Sequence, residues 1–84
     1  MSQILIVDDD KRIRLIIKKY FTTLGHLVDE AENGLVGVSM IKKEPQKYHI
    51  IIMDMMMPAM NGLEAFDELC AAHIDVPVIM STAF

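Results

Sequence analysis

The amino-acid sequence predicts a single α/β domain built on a parallel sheet with helices on both faces. Its apolar runs are short and rich in β-branched residues, as in Gln3–Val7, Tyr48–Met53 and Val76–Met80. Segments whose apolar residues recur at helical spacing separate these runs. The loops between them are short, so the element order is β-α-β-α-β-α-β. Strict alternation of this kind implies right-handed crossovers between parallel strands.

The first strand and the first helix have clear boundaries. In the strand Gln3–Val7, the four residues after Gln3 are all apolar, which is typical of a strand buried on both faces. Asp10 is expected to cap the helix that follows, and Gly25 to end it. The apolar face of this helix is formed by Ile13, Ile16, Ile17, Tyr20, Phe21 and Leu24. Seven of the eight lysines and arginines are predicted to lie on solvated helix faces: Lys11, Arg12, Arg14, Lys18, Lys19, Lys42 and Lys43.

The second strand and the second helix are less apolar. Leu27–Ala31 alternates and carries two acids, so we expect it at the edge of the sheet. Asn33 is a candidate cap for a helix from Leu35 to Lys43. Gly37 lies in the middle of that helix, where glycine costs about 1 kcal/mol relative to alanine. Close packing of this helix on the sheet would explain the glycine.

The second half of the chain repeats the pattern. A buried strand, Tyr48–Met53, is followed by the loop 54–58, in which a lone acid precedes three methionines and a proline. Asn61 is expected to cap a helix that runs from Leu63 to His73, and Val76–Met80 forms the fourth strand. The inward positions of the two later helices are predicted to be Leu35, Val38, Ile41, Leu63, Phe66, Leu69 and Cys70.

Composition limits the possible functions. The chain has 84 residues and a formal charge of −4, so its own field does not favour nucleic acid. Its single cysteine, Cys70, permits no internal disulfide and fits a reducing compartment. The N-terminus lacks the pattern of a signal peptide, and the apolar runs are too short for a membrane helix. We therefore expect a soluble, cytoplasmic protein without direct contact with a membrane.

Acids and hydroxyls follow the predicted strands at their carboxyl ends, where open parallel sheets bind ligands. These are Asp8 and Asp9 after the first strand, Asp54 after the third, and Ser81 and Thr82 after the fourth. If the first and third strands are neighbours, three carboxylates converge. Either a raised carboxyl pKa or a bound divalent cation such as Mg²⁺ would relieve their repulsion. A carboxylate beside Mg²⁺ can attack phosphorus, and Asp54, alone on its loop, is the best nucleophile.

These residues carry a family resemblance. The segments Ile4–Asp9, Asp54–Pro58 with Asn61-Gly62, and Pro77–Ala83 resemble the response-regulator receiver domain of two-component signalling. The resemblance implies a flavodoxin-like fold with the strand order 2-1-3-4 for the strands present. It also implies a phosphorylated signalling module that changes its surface and is not a turnover enzyme.

The resemblance assigns a role to each site residue. Asp54 would accept a phosphoryl group from a histidine kinase or phosphotransfer protein, in a Mg²⁺-dependent reaction. Asp8, Asp9, Asp54 and the backbone carbonyl of Met56 would bind the metal, and Thr82 would be the switch hydroxyl. Met56 and Phe84 are apolar at positions that flank the phosphoryl pocket in the family, which predicts slow loss of the phosphoryl group.

The sequence also departs from the family pattern. Residues 1–84 match the N-terminal two thirds of a receiver, so the last helix, strand and helix are expected to be absent. No lysine lies beyond Lys47, so the family's phosphoryl-binding lysine has no counterpart. Without this lysine and the last elements, activity is expected to be impaired. The edge from Val78 to Met80 would be uncovered, which predicts a dimer or intertwined oligomer. An effector domain, if any, would lie C-terminal.

A second reading is a haloacid-dehalogenase-like phosphatase. Asp8, Asp9 and Asp10 follow a strand, as in the Asp-x-Asp motif of those enzymes, with Asp8 as nucleophile. This alternative leaves Asp54 and the methionine loop without a role. Labelling as an acyl phosphate would separate the two readings, since it would depend on Asp54 in one and on Asp8 in the other.

Overall fold

A computed structural model describes residues 1–81. Within these residues, four strands and three helices alternate, as the sequence predicts. The strands are β1 (Gln3–Val7), β2 (Leu27–Ala31), β3 (Ile50–Asp54) and β4 (Val78–Ser81). The helices are α1 (Lys11–Thr23), α2 (Gly34–Lys43) and α3 (Gly62–Ala71). Within residues 1–81, no helix is long and apolar enough to cross a membrane.

The strands form one parallel sheet in the order β2-β1-β3-β4. This confirms the predicted flavodoxin-like order and places β2 at an edge. The last two strands begin two residues later than the sequence predicts, at Ile50 and Val78. β3 also extends by one residue, so that Asp54 is the last residue of the strand rather than the first of the loop.

A side chain caps the N-terminus of each of the three helices. Asp10 accepts hydrogen bonds from the backbone amides of Arg12 and Ile13, and Asn33 accepts one from Val36. Asn61 forms a capping box with Glu64, in which each side chain accepts from the other's backbone amide. All three caps were expected from the sequence.

The main core lies between the sheet and the helices α2 and α3. Its buried members include Leu5, Val7, Val38, Ile41, Tyr48, Ile51, Met53, Ala65 and Leu69. Gly37 allows α2 to approach this face, because a Cβ atom there would lie 2.9 Å from Cγ2 of Val7. The close packing that was expected at this glycine is therefore confirmed.

Four inward predictions for α2 and α3 are wrong. Leu35, Leu63, Phe66 and Cys70 are exposed, whereas Ala65 and Leu69 are buried. The two helices share one face of the sheet and contact each other. Small residues therefore fill the helix–sheet contact, and the larger apolar residues are displaced towards the helix flanks.

The opposite face of the sheet is covered by α1 alone, which packs on β1 and β2. None of the α1 residues is fully buried, and Ile16 is 69% exposed. On β4, Ile79 is 50% exposed. The predicted helix is present, but only part of its apolar face is covered within residues 1–81.

Candidate functional site

Asp8 is the first residue after β1 and is 4% exposed. Its backbone amide donates to the carbonyl of Ala31 at the end of β2, at 3.1 Å. Its Oδ1 accepts a hydrogen bond from the backbone amide of Asp10, at 2.8 Å. The carboxylate is thus fixed at the carboxyl edge of the sheet by local contacts.

Asp54 ends β3 and lies opposite Ser81 of β4. It is 5% exposed, and its Oδ1 accepts a hydrogen bond from the backbone amide of Met56 at 3.1 Å. Gly62 keeps the start of α3 close to this strand end, because a Cβ atom there would lie 2.6 Å from the backbone carbonyl oxygen of Asp54. The glycine amide also donates to the carbonyl of Met55.

Because β1 and β3 are neighbours, their terminal acids meet. Asp8, Asp9 and Asp54 each offer a carboxylate oxygen, and these oxygens lie within 4.8 Å of one another. Asp8 and Asp54 are buried, whereas Asp9 is exposed. None of the salt bridges within residues 1–81 includes any of these three side chains. The convergence predicted from the strand ends is present.

The electrostatic consequence is clearest at Asp8. Burial raises the pKa of the Asp8 carboxyl above its ordinary value, and the nearby charges of Asp54, Asp9 and Asp10 raise it further. The hydrogen bond from the Asp10 amide opposes this rise in pKa. A small site with three carboxylates and no cationic partner in the described residues fits a hard divalent ion such as Mg²⁺, which prefers oxygen ligands.

The other predicted site residues are less closely defined. Met56 is 72% exposed, and the predicted role of its carbonyl as a metal ligand stays a prediction. Thr82 and Phe84 lie outside the described residues.

Sequence reasoning missed one residue beside the site. Arg14 was predicted on a solvated helix face, but its side chain is only 12% exposed. Its guanidinium donates to the backbone carbonyl of Asp8. The position of an arginine on the helix that follows Asp8 was the only sequence signal, and charge patterning alone does not distinguish it from a solvated residue.

Comparison with known proteins identifies the family. Residues 4–84 match the family described as "Response regulator receiver domain". The chain belongs to this family. The predicted resemblance is thereby confirmed, and the comparisons do not support the phosphatase alternative. Receiver domains are in general not turnover enzymes.

The receiver is similar to several curated proteins. It is 35% identical over 82 residues to the transcriptional regulatory protein ResD of Bacillus subtilis, covering 98% of this chain and 33% of that protein. It is 36% identical over 81 residues to the probable transcriptional regulatory protein SilR of Salmonella typhimurium, covering 96% of this chain and 35% of that protein. The chain therefore spans about a third of the length of the curated relatives it matches.

Solved structures agree with the fold. The receiver domain of the Francisella response regulator 1452 has a TM-score of 0.92 at 31% identity, and the match covers 100% of this chain and 68% of that one. The response regulator TrrA of Thermotoga maritima has a TM-score of 0.90 at 33% identity, covering 100% of this chain and 71% of that one. The TrrA structure was determined in complex with Mg²⁺ and BeF.

Proposed function

We propose that this receiver domain accepts a phosphoryl group on Asp54 in a Mg²⁺-dependent reaction. The observation that carries the proposal is the group of three carboxylates whose oxygens lie within 4.8 Å of one another at the carboxyl edge of the sheet. Membership of the receiver family and the Mg²⁺–BeF complex of TrrA support it.

The proposed reaction is a transfer to a carboxylate. The Oδ1 atom of Asp54 is held by the Met56 amide, so we assign the attack on phosphorus to Oδ2. A bond forms between this oxygen and phosphorus, and the bond between phosphorus and the donor's leaving group breaks. When the donor is a phosphohistidine, the leaving imidazole nitrogen keeps the electron pair of that bond. The product is an acyl phosphate.

Asp8 and Asp9 would hold the metal together with Asp54 and the Met56 carbonyl. A bound Mg²⁺ supplies positive charge that offsets the negative charge of the carboxylates and of the phosphoryl oxygens. The burial of Asp8 and Asp54 excludes much of the water that would otherwise screen these interactions. The predicted switch role of Thr82 belongs to the same proposal, as the hydroxyl that binds a phosphoryl oxygen.

The partners follow from this chemistry. A histidine kinase or a phosphotransfer protein would supply the phosphoryl group. The relatives named above are transcriptional regulatory proteins of about three times the matched length, which supports an effector domain in the full-length protein as the recipient of the signal. A cytoplasmic location stays a prediction.

The test is phosphorylation by a small phosphodonor such as acetyl phosphate, followed by mass measurement. We expect one phosphoryl group to be added in Mg²⁺ and none in EDTA, and the addition to be slow because no lysine beyond Lys47 is present to bind the phosphoryl group. Asp54→Asn should abolish the addition. Asp8→Asn should reduce it strongly and make it less sensitive to Mg²⁺. Asp10→Asn is the matched control, because Asp10 caps α1 outside the carboxylate group and asparagine caps equally well.

Two results would contradict the proposal. One is labelling of the folded Asp54→Asn variant at the wild-type level. The other is a folded wild-type chain that stays unlabelled at saturating Mg²⁺ and phosphodonor.

A further inference from the structure

Arg14 lies in the second turn of α1, between the helix and the β1–α1 loop. Its guanidinium makes two contacts in different directions. One terminal nitrogen, NH1, donates to the backbone carbonyl of Asp8 at 2.5 Å. The Nε donates to Oε1 of Glu30 on β2 at 3.2 Å. The planar guanidinium therefore links the end of β1 to the neighbouring strand, which a single ammonium nitrogen could not do with the same geometry.

Glu30 fixes the orientation of this guanidinium. Its second oxygen, Oε2, accepts from Nζ of Lys18 at 3.2 Å, so both carboxylate oxygens of Glu30 have cationic partners. The Arg14 side chain is 12% exposed and the Glu30 side chain 25% exposed, whereas the Lys18 side chain is 43% exposed. The pair closer to the site is thus the better shielded from solvent and from salt.

The contact with Asp8 completes the restraint on that residue. The amide of Asp8 donates to Ala31 on β2, and its carboxylate oxygen Oδ1 accepts from the Asp10 amide. The carbonyl bonded to Arg14 is the remaining polar backbone group of Asp8. With that contact, both peptide groups that flank the Asp8 Cα are anchored, and the direction of its carboxylate is set.

We propose that Arg14 is a positioning residue for the metal site: it orients Asp8, and through the loop Asp9, by holding the Asp8 carbonyl. The inference rests on the proposed function, since it concerns the Mg²⁺ site of the same domain. Arg14 touches the backbone and makes no salt bridge with the three carboxylates within residues 1–81.

If Arg14 positions Asp8, replacing it should change the Mg²⁺ affinity in the direction opposite to the one that its charge alone predicts. Removing a positive charge near three carboxylates would strengthen Mg²⁺ binding if only charge mattered. Loss of an orienting contact would weaken it, by about 10- to 100-fold, as is common for residues that hold metal ligands in place. Whether Mg²⁺ affinity rises or falls therefore distinguishes an effect of charge from an effect of positioning.

The experiment compares three variants with the wild type by calorimetric titration with Mg²⁺. Arg14→Met keeps the alkyl stem and removes both contacts. Arg14→Lys keeps the charge but cannot reach both Asp8 and Glu30 in the same way. Lys18→Met is the matched control, because it removes the other cation on Glu30 without a contact to Asp8.

We expect both Arg14 variants to bind Mg²⁺ about tenfold more weakly or worse, and Lys18→Met to bind as the wild type does or more tightly. The free energy of unfolding, measured by urea in EDTA, should fall more in Arg14→Met than in Lys18→Met, because Arg14 is the better shielded of the two and makes two contacts. At saturating Mg²⁺, the rate of phosphorylation by acetyl phosphate should recover in the Arg14 variants.

Unchanged or tighter Mg²⁺ binding in a folded Arg14→Lys or Arg14→Met protein would overturn the inference. So would an equal loss of Mg²⁺ affinity in Lys18→Met, since that would indicate a general loosening of the fold. A wild-type chain that binds no Mg²⁺ would instead refute the proposed function, and the inference with it.

Discussion

Asp8 is a proposed metal ligand that lowers the stability of the metal-free protein. Its carboxylate is buried beside two other acids, and its pKa is raised, first by burial and then by these charges. The folded protein therefore binds a proton at Asp8 more readily than the unfolded chain does. In the metal-free protein, stability therefore falls as the pH rises from the ordinary Asp pKa of 3.8 through the raised pKa of Asp8 in the folded state. At higher pH the loss of stability remains.

Asp8→Asn should accordingly stabilise the metal-free protein at neutral pH, by on the order of 1 kcal/mol. Asparagine keeps the oxygen that accepts from the Asp10 amide, so the local geometry is preserved. The measurement is urea unfolding in EDTA and in Mg²⁺. Mg²⁺ should stabilise the wild type and have little effect on the variant; equal Mg²⁺ stabilisation of both would contradict a metal role for Asp8.

Met56 is the exposed apolar residue nearest in sequence to the proposed acceptor. At 72% exposure its side chain is free to cover a phosphoryl group on Asp54 or to leave it open. If it covers the group, Met56→Asn should speed loss of the phosphoryl group several-fold, because a polar side chain admits and orients water. The half-life of the labelled protein is the readout, with Met56→Leu as the apolar control. Equal half-lives in all three proteins would show that Met56 only fills space.

At the scale of elements, α2 depends on Gly37 for its distance from the sheet. A methyl group at this position would approach a branch of Val7, which is itself fully buried. Gly37→Ala should therefore destabilise the fold: overpacking costs about 1–3 kcal/mol, against a gain in helix propensity of about 1 kcal/mol.

The double-mutant cycle with Val7→Ala checks this explanation. In the Val7→Ala background the obstructing branches are gone, so Gly37→Ala should become neutral or stabilising. Unfolding in urea gives the four free energies. A loss of the same size in both backgrounds would mean that the glycine is needed for some reason other than its contact with Val7.

A second contact between elements joins β2 to the loop that precedes β3. The hydroxyl of Tyr48 donates to Asp29 at 2.7 Å, and Lys47 Nζ lies 3.3 Å from the same Asp29 oxygen. The Tyr48 hydrogen bond lowers the pKa of Asp29 and outweighs the opposing effect of burial, and Lys47 adds to the lowering. Burial and the bond to Asp29 raise the pKa of Tyr48.

Tyr48→Phe should therefore lower the free energy of unfolding by about 1 kcal/mol near neutral pH. Because the Asp29 pKa is lowered in the folded state, this stabilisation is present above the ordinary value of 3.8 and is lost as the pH falls through the lowered folded value. Urea unfolding as a function of pH is the measurement. Tyr20→Phe is the control, since that ring is 61% exposed. If the difference in unfolding free energy between the wild type and Tyr48→Phe did not decrease in acid, the stabilisation could not come from the hydrogen bond to ionised Asp29.

At the scale of the whole molecule, the two faces of the sheet are unequally covered. Two helices pack on one face, whereas α1 alone lies on the other and leaves Ile16, Tyr20 and Ile79 largely exposed. β4 is also an edge strand of the described sheet. Apolar surface beside an unpaired strand edge favours association with another chain.

We expect the 84-residue chain to self-associate in solution, as a dimer or an intertwined oligomer. Sedimentation velocity over a range of concentrations should show an increasing average mass. Ile79→Lys should shift the distribution towards monomer by placing a charge on the edge strand. Leu35→Lys, at a similarly exposed apolar position on α2, is the control and should change little. A wild-type chain that stays monomeric at high concentration would refute the expectation.

Most of the secondary structure could be predicted because it depends on local pattern. The three helix caps, the β-branched strands and the terminal glycine of α1 act within a few residues of their own positions, so the sequence displays them directly. Gly25 has a φ of 92°, as expected for a glycine that ends a helix. Burial on α2 and α3 was predicted less well, since it depends on which helix shares which face of the sheet.

Roles that depend on distant partners were not predictable. His26 and His49 each accept a hydrogen bond from a distant backbone amide at Nδ1, from Ser2 at 3.0 Å and from Gln3 at 2.9 Å. Arg14 was placed among solvated charges, although it holds the carbonyl of Asp8. Nothing in their local sequence separates these residues from ordinary surface residues.

The amino-acid sequence was enough to predict the alternation of strands and helices, the family, and the three acids at the strand ends. It could do so because periodicity, capping and motif order are properties of neighbouring residues. The tertiary fold fixes the distance of 4.8 Å within which the three predicted carboxylates meet, since that distance depends on the pairing of β1 with β3. It also decided that Arg14 orients towards the site, because that contact depends on how α1 packs against β2 and the β1–α1 loop.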